Sequence, residues 1–463
     1  MTQGLQPSPF TPRPFDVPPP SRDAIYAVLT PPGEAAIATI LLDGDRTLAR
    51  LKGVFRSKQE PSFRTPGQLV LGRVVGAQGE LVDEAIAAPV APEKSGTALE
   101  QVELSCHGGV GACEGVVKAL EAAGFRAARP GELLARGHRA GRLSLPAIEA
   151  RLRLSVAATA RQAEFLLAHA VFQERWERLG LAAALGARQR QIEWREGLFR
   201  AAAEARAQAA PGRRLLKSHR VVLAGPVNAG KSTLGNRLLR SDESIVSPVP
   251  GTTRDRLERP AELRGLAVLL SDTAGLREVA GEVGEAEIER EGQARARAAA
   301  GSADVVLIVV DGSRAPSEAE CEQAEALAAG NSGTDQTSGL SPNSPRRVLL
   351  VLNKADLGTN AEAEGLSFAL AAAPVRVSAL TGGGLGELEA AIETALLGPG
   401  APEAGAPFTA RQVRHVAALH AGLQEALDAT EVIGHIRALV GTRPNEAELG
   451  AVFREFGEDC GTA

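Results

Sequence analysis

The stretch Gly225-Pro226-Val227-Asn228-Ala229-Gly230-Lys231-Ser232 decides how this chain is read. The apolar run Val221-Val222-Leu223-Ala224 precedes it, and Leu234 and Leu238 follow at helical spacing. Strand, glycine-rich turn and helix in that order are the context a phosphate-binding loop requires. The glycines let backbone N–H groups close around an anion with no Cβ in the way. The helix N-terminus adds partial positive charge. In such a loop Lys231 reaches the outer phosphates of a nucleoside triphosphate, the Ser232 hydroxyl binds Mg²⁺, and Thr233 continues the same turn.

Outward from that loop, apolar runs alternate with helical segments, as in an α/β parallel sheet. The expected strands are Val221–Ala224, Ala267–Ser271, Val305–Val310, Val348–Leu352 and Val375–Val377. Four further stretches follow in order. In Gly251-Thr252-Thr253-Arg254-Asp255 a threonine can hold Mg²⁺ and sense the γ-phosphate. In Asp272-Thr273-Ala274-Gly275 the carboxylate orients Mg²⁺ through water, and the Gly275 N–H faces the γ-phosphate. In Asn353-Lys354-Ala355-Asp356 a carboxylate can accept from guanine N1–H and the exocyclic amine, a pair adenine does not offer. The backbone of Ser378-Ala379-Leu380 reaches the guanine O6. Each motif alone is weak; all five in this order, most at strand ends where an open α/β sheet binds its ligand, point to a Mg²⁺-dependent GTPase.

The rest of the chain frames that segment. At 463 residues it is long enough for several domains. Hydrophobic residues make up 44% and charged residues 23%, which suits a soluble globular protein. A net charge of -5 advertises no global basic field for nucleic acid. Cys106, Cys113, Cys321 and Cys460 have neither zinc nor disulfide spacing, which fits a reducing, cytoplasmic setting. No signal peptide and no run long enough to span a bilayer is expected. Residues 1–21 read as a disordered, proline-rich tail. Residues 22–145 read as an α+β domain, with strands at Ile25–Leu29, Ile37–Leu42, Gln68–Val75, Ala85–Val90 and Val102–His107 and a helix at Gly111–Ala123. Residues 146–217 read as the first part of an all-α domain that Pro211-Gly212 stops, 218–399 as the inserted GTPase domain, and 400–463 as the second helical part. The polar stretch Gly330–Pro345 reads as a disordered insertion. His107 and His138 read as structural or surface residues, and Arg188-Gln189-Arg190 and Arg213-Arg214 as solvated helix faces.

From Asp23 onward the chain resembles the MnmE (TrmE) family of bacterial tRNA-modification GTPases. The resemblance rests on Thr30-Pro31-Pro32-Gly33, Leu104-Ser105-Cys106-His107-Gly108-Gly109, Arg129-Pro130-Gly131-Glu132 with Arg136, Gly141, Leu145 and Glu149, and the GTPase motifs above, Asp272-Thr273-Ala274-Gly275-Leu276-Arg277 included. It implies a folate-type N-terminal domain that also dimerises, a helical domain and an inserted Ras-like GTPase domain. It further implies a homodimer that works with an MnmG-type FAD protein on the wobble uridine of tRNA, adding a carboxymethylaminomethyl-type group. By the same resemblance Asn228, Ser247, Val249 and Thr252 would surround K⁺, Thr253 would hold Mg²⁺, and Arg142 and Glu103 would face a tetrahydrofolate derivative.

The sequence also departs from the family. Where the family ends in Phe-Cys-Ile-Gly-Lys, this chain has Phe456-Gly457-Glu458-Asp459-Cys460-Gly461-Thr462-Ala463. The arginine that usually follows the opening motif is Leu41. The position of the water-orienting glutamate is Gly284, which leaves Glu282 and Glu285 as the neighbouring candidates. These departures keep two alternatives open: a GTP-gated dimerising switch without the modification chemistry, and a ribosome-assembly GTPase of the Era or Der type.

Overall fold

The computed structural model describes residues 18–31, 33, 35–57, 67–188, 193–240, 258–272, 301, 303–329, 347–370, 374–398, 400–425, 428–441, 443 and 445–461. The elements run in order β1 (Ile25–Val28), β2 (Ile37–Gly44), α1 (Thr47–Val54), β3 (Phe55–Arg56), β4 (Val70–Val75), β5 (Leu81–Pro89), β6 (Glu100–His107), α2 (Val110–Ala122), β7 (Arg126–Ala127) and α3 (Glu132–Arg139). Four helices follow: α4 (Leu145–Leu154), α5 (Ala160–Leu167), α6 (His169–Arg188) and α7 (Glu193–Leu215). Then come β8 (His219–Ala224), α8 (Lys231–Arg240), β9 (Glu258–Leu263), β10 (Leu266–Asp272), β11 (Val305–Asp311), α9 (Glu318–Ala329), β12 (Arg347–Asn353), α10 (Ala361–Leu370), β13 (Pro374–Arg376) and α11 (Leu385–Leu397). The helices α12 (Ala410–Gln424), α13 (Ala429–Val440) and α14 (Glu446–Gly461) complete the chain. None of the helices among the described residues is long and apolar enough to cross a membrane. The tail expected over residues 1–21 and the insertion Gly330–Pro345 fall largely outside the described residues.

The chain forms two compact units. The first draws on Met1–Glu149 and Ile433–Gly461. Its sheet has the order β3-β4-β5-β6-β2-β1-β7, antiparallel except where β7 lies parallel to β1. Alternation along β2, β4 and β6 puts Ile40, Leu42, Val74, Val102 and Leu104 into the core, where helix α2 adds Val116 and Leu120. A charged network is also buried there. Arg136 donates to Asp43 at 2.6 Å and to Glu132 at 3.0 Å, and all three side chains are at most 3% exposed. His138 is fully buried; its Nδ1 lies 2.9 Å from the Leu143 carbonyl and its Nε2 accepts from the Asn445 amide at 3.2 Å. It is thus a structural histidine. Arg139 pairs with Glu446 at 2.7 Å, and Gly131 lies against Phe453, so helix α14 is held to α3 at several points.

The second unit, Ala150–Val432, carries a six-stranded sheet of order β13-β12-β11-β8-β10-β9. Every neighbouring pair is parallel except the edge pair β9–β10. Strand β11 is apolar and buried along its whole run Val305–Val310, as a strand covered on both faces must be. One face packs on α8 and α11 through Leu234, Leu388 and Ile392, the other on α9 and α10 through Ala324 and Leu366. The stop expected at Pro211-Gly212 is not there: α7 continues through Pro211 to Leu215. Proline removes one backbone bond and strains the preceding turn. The helix persists because its last turns pack: Leu215 joins the core, and Gly212 lies so close to the Pro407 carbonyl that a Cβ would stand 2.8 Å from it.

Candidate nucleotide-binding site

At the carboxyl end of β8 the chain turns through the loop Gly225–Gly230 and enters α8 at Lys231. Asn228 sits in the left-handed region at φ 64°, and Gly230 at φ 87°. A Cβ on Gly230 would stand 2.3 Å from the Asn353 Nδ2, so only glycine fits both the dihedral and the space. Lys231 is buried, with its Nζ donating to the Pro226 carbonyl at 2.6 Å. Asn228, Ser232 and Thr233 are exposed, and Ala229 is buried.

The end of β12 meets this loop directly. Asn353, 2% exposed, donates from Nδ2 to the Ala229 carbonyl at 2.8 Å and accepts at Oδ1 from the Ala379 amide at 3.0 Å. One side chain therefore spans the phosphate-loop candidate and the Ser378-Ala379-Leu380 segment. Lys354 lies at φ 63° and its ammonium contacts Asp311 at 2.7 Å. Asp311 also accepts from the Ser313 hydroxyl and amide at 2.6 and 3.0 Å. Burial pushes the Asp311 carboxyl up, but the Lys354 and Ser313 bonds outweigh it and hold the group below the usual carboxylate range. The Ser378 hydroxyl donates to Asp356 at 2.5 Å, and Arg237 of α8 donates to the Leu380 carbonyl at 2.6 Å. Leu380 itself points outward, 73% exposed.

Of the sequence-derived residues, the structure brings together Asn228, Ala229, Gly230, Lys231, Ser232, Thr233, Asn353, Lys354, Asp356, Ser378, Ala379 and Leu380. The backbone of Asp272 ends β10 at the same sheet edge, two strands from β11. Ser247, Val249, Gly251, Thr252, Thr253, Thr273, Ala274, Gly275, Glu282 and Glu285 lie outside the described residues. Glu103 on β6 and Arg142 after α3 are both exposed, and no hydrogen bond or ion pair joins them among the described residues. Asp311 and Arg237 escaped sequence reasoning. Asp311 did carry a signal: it is the polar residue that ends the apolar run of β11, the position Asn353 holds on β12.

Residues 220–354 match the family model described as a 50S ribosome-binding GTPase, and residues 24–142 the one described as the GTP-binding protein TrmE N-terminus. The chain is 34% identical to the tRNA modification GTPase MnmE of Roseiflexus castenholzii, over 95% of this chain and 96% of that one. This chain belongs to the MnmE family of tRNA modification GTPases. A second MnmE, from Roseiflexus sp. (strain RS-1), is 35% identical over 94% and 98% of the two chains. The mitochondrial 5-taurinomethyluridine-[tRNA] synthase subunit GTPB3 of Mus musculus is 35% identical over 89% of this chain and 84% of that one. MnmE membership accounts for both sheets at once: the N-terminal sheet lies within the TrmE-type segment, and five strands of the GTPase sheet, β8 to β12, fall in the GTPase match, with only β13 beyond it.

Proposed function

We propose that the chain binds GTP across the loop Gly225–Ser232, the Asn353–Asp356 turn and the Ser378–Leu380 segment, and hydrolyses it in modification of the tRNA wobble uridine. The observation that supports this best is the Asn353 bridge, because it fixes the distance between a phosphate cradle and a base-recognition segment. On this reading Lys231 exchanges the Pro226 carbonyl for phosphate oxygens. Backbone N–H groups of the loop and the start of α8 face the same anion. Asp356, steadied by the Ser378 hydroxyl, accepts from the guanine N1–H and amine. Lys354, steadied by Asp311, lies alongside the base.

The described metal candidates are oxygen donors, the Ser232 hydroxyl and the Asn228 amide, which suits hard cations such as Mg²⁺ and K⁺. Ser232 would contribute to Mg²⁺ together with Thr253, and Asn228 to K⁺ together with Ser247, Val249 and Thr252. When bound, such cations neutralise charge on the phosphates during transfer. Thr273, Ala274 and Gly275, with Asp272, belong to the same proposal, as do Glu282 and Glu285 for orienting water. Arg142 and Glu103 facing a tetrahydrofolate derivative, a homodimer, an MnmG-type FAD partner, the five-part domain division and a cytoplasmic location are carried as parts of this reading. One alternative stands beside it: a GTP-gated dimerising switch that lacks the modification chemistry.

Two measurements decide between them. Competition binding should show guanine nucleotides preferred to adenine nucleotides; equal affinities would end the site assignment. Nucleoside analysis of tRNA from a deletion strain should show loss of wobble-uridine modification, restored by the wild-type gene and not by Asp272→Ala. Unchanged modification in the deletion strain would leave the switch as the reading.

A further inference from the structure

Strands β9 and β10 pair with Leu266 opposite Leu263, which leaves Arg264 and Gly265 alone to make the turn. Both are left-handed, at φ 51° and 78°, as a two-residue hairpin of the twist-matching kind requires. The open end of this hairpin lies at the sheet edge that carries the candidate site: β10 ends at Asp272, which pairs with Leu223, two residues before the Gly225–Ser232 loop. The closed end is about 20 Å away, seven residues at strand rise.

That closed end is pinned by side chains from two other elements. The Thr159 hydroxyl donates to the Gly265 carbonyl at 2.8 Å while also capping α5 by accepting from the Gln162 amide. Arg161 Nη1 donates to the Arg264 carbonyl at 2.7 Å, so α5 and its cap take both turn carbonyls. Glu393 of α11 then accepts from Arg161 and from Arg264, each at 2.6 Å. The fit is close: a Cβ on Gly265 would stand 2.6 Å from the Arg161 Cβ. Helix α5 is tied at the same time to the end of α7, where Gln162 donates to the Leu215 carbonyl at 3.0 Å. Leu215 lies four residues before β8, which leads into the Gly225–Ser232 loop. Helix α5 thus holds the far ends of both paths that run to the site.

We propose that Thr159, Arg161 and Glu393 are positioning residues for GTP hydrolysis, acting through the β9–β10 hairpin, and that the hairpin tip is the joint at which the nucleotide site and helix α5 bias one another. The proposal rests on the reading that Asp272 and the Gly251–Asp255 stretch border the γ-phosphate. A hairpin held at its tip cannot shift at the open end without moving or loosening the tip. Coupling of this kind is reciprocal: what the nucleotide does to α5, the α5 contacts do to the nucleotide state.

The test uses the full chain with Mg²⁺, loaded either with GDP or with a non-hydrolysable GTP analogue. Hydrogen exchange is followed in peptides covering residues 160–167. In the wild type the two nucleotides should give exchange rates differing by about threefold or more. Glu393→Gln and Thr159→Val should erase that difference, change the ratio of GTP-analogue to GDP affinity by about twofold or more, and lower kcat; Thr159→Ser should keep all three at wild-type values. Arg161→Lys, which retains charge and length, serves if the other variants fold poorly. Peptides of α5 that are blind to nucleotide in the wild type, or a difference that survives in the variants, would overturn the joint. A chain that binds no guanine nucleotide in the same titration would instead overturn the site assignment, so the two failures are distinct.

Discussion

At the scale of single residues, Asn353 carries more than its place in a guanine motif implies. It is 2% exposed and satisfies the Ala229 carbonyl and the Ala379 amide at once. Asn353→Ala leaves both buried groups unpaired, at about 1–3 kcal/mol each. Urea unfolding should show a fall of that order, and GTP affinity should fall with it. If affinity falls with no change in stability, the bridge is not structural. Asp311 gives the complementary case. Asp311→Asn keeps the shape but releases the Lys354 ammonium; GTP should bind several-fold more weakly, with stability nearly unchanged, by calorimetric titration. Glu132 supplies a pH test. Burial pushes its carboxyl up, yet bonds from Arg126 and the Arg129 amide hold it below the usual range. Its stabilisation is therefore full above about pH 5, beyond the ordinary glutamate value, and it is lost as pH falls through the lowered folded value. Glu132→Gln should flatten the acid limb of the stability–pH curve. These roles were only half legible in sequence. A motif names Asn353 and Lys354, but Asp311, Ala229 and Ala379 reach them through strand order, which no local pattern states.

Elements divide along the same line. Strands β8, β11 and β12 were legible because a strand covered on both faces is a continuous apolar run, and Val305–Val310 could be little else. Strand β9 was not: it is an edge strand whose residues Glu258-Arg259-Pro260 are partly exposed, so its sequence carries neither an apolar run nor clean alternation. Helix α1 was missed for a related reason, being eight residues long with a left-handed Arg46 and no side-chain cap at its start. Helix α7 was cut short because propensity penalises proline, whereas packing of Leu215 and Gly212 decides. The docking of α14 onto α3 is likewise a matter of shape. Gly131 lies at φ 73° with the Phe453 ring 2.1 Å from where a Cβ would sit, and Phe453 is fully buried. Gly131→Ala combines a left-handed penalty of about 1–2 kcal/mol with that overlap. Amides of residues 446–461 should exchange faster in the variant, and its urea midpoint should fall with the slope unchanged. Wild-type exchange in this helix would mean that Gly131 is a sequence feature without a packing role.

For the molecule as a whole, two compact units with separate sheets and separate cores imply that a ligand of one need not stabilise the other equally. The candidate nucleotide site is built wholly from the unit Ala150–Val432: the Gly225–Ser232 loop, the Asn353–Asp356 turn and the Ser378–Leu380 segment all belong to it. A ligand that binds only the folded form stabilises it by about 2.7 kcal/mol at a hundredfold excess over Kd. For a domain of this size that corresponds to a rise of roughly 5–10 °C in midpoint. Scanning calorimetry of the full chain should therefore resolve two transitions, of which GDP raises one by that amount and moves the other far less. Lys231→Ala should remove the shift, and ATP in place of GDP should not produce it. Because the Asn353 bridge ties the Gly225–Ser232 loop to the Ser378–Leu380 segment, the nucleotide-sensitive transition should also be the one that Asn353→Ala lowers. If Asn353→Ala lowers the other transition, or if GDP raises both equally, the division of labour between the two sheets is not the one their separate cores imply.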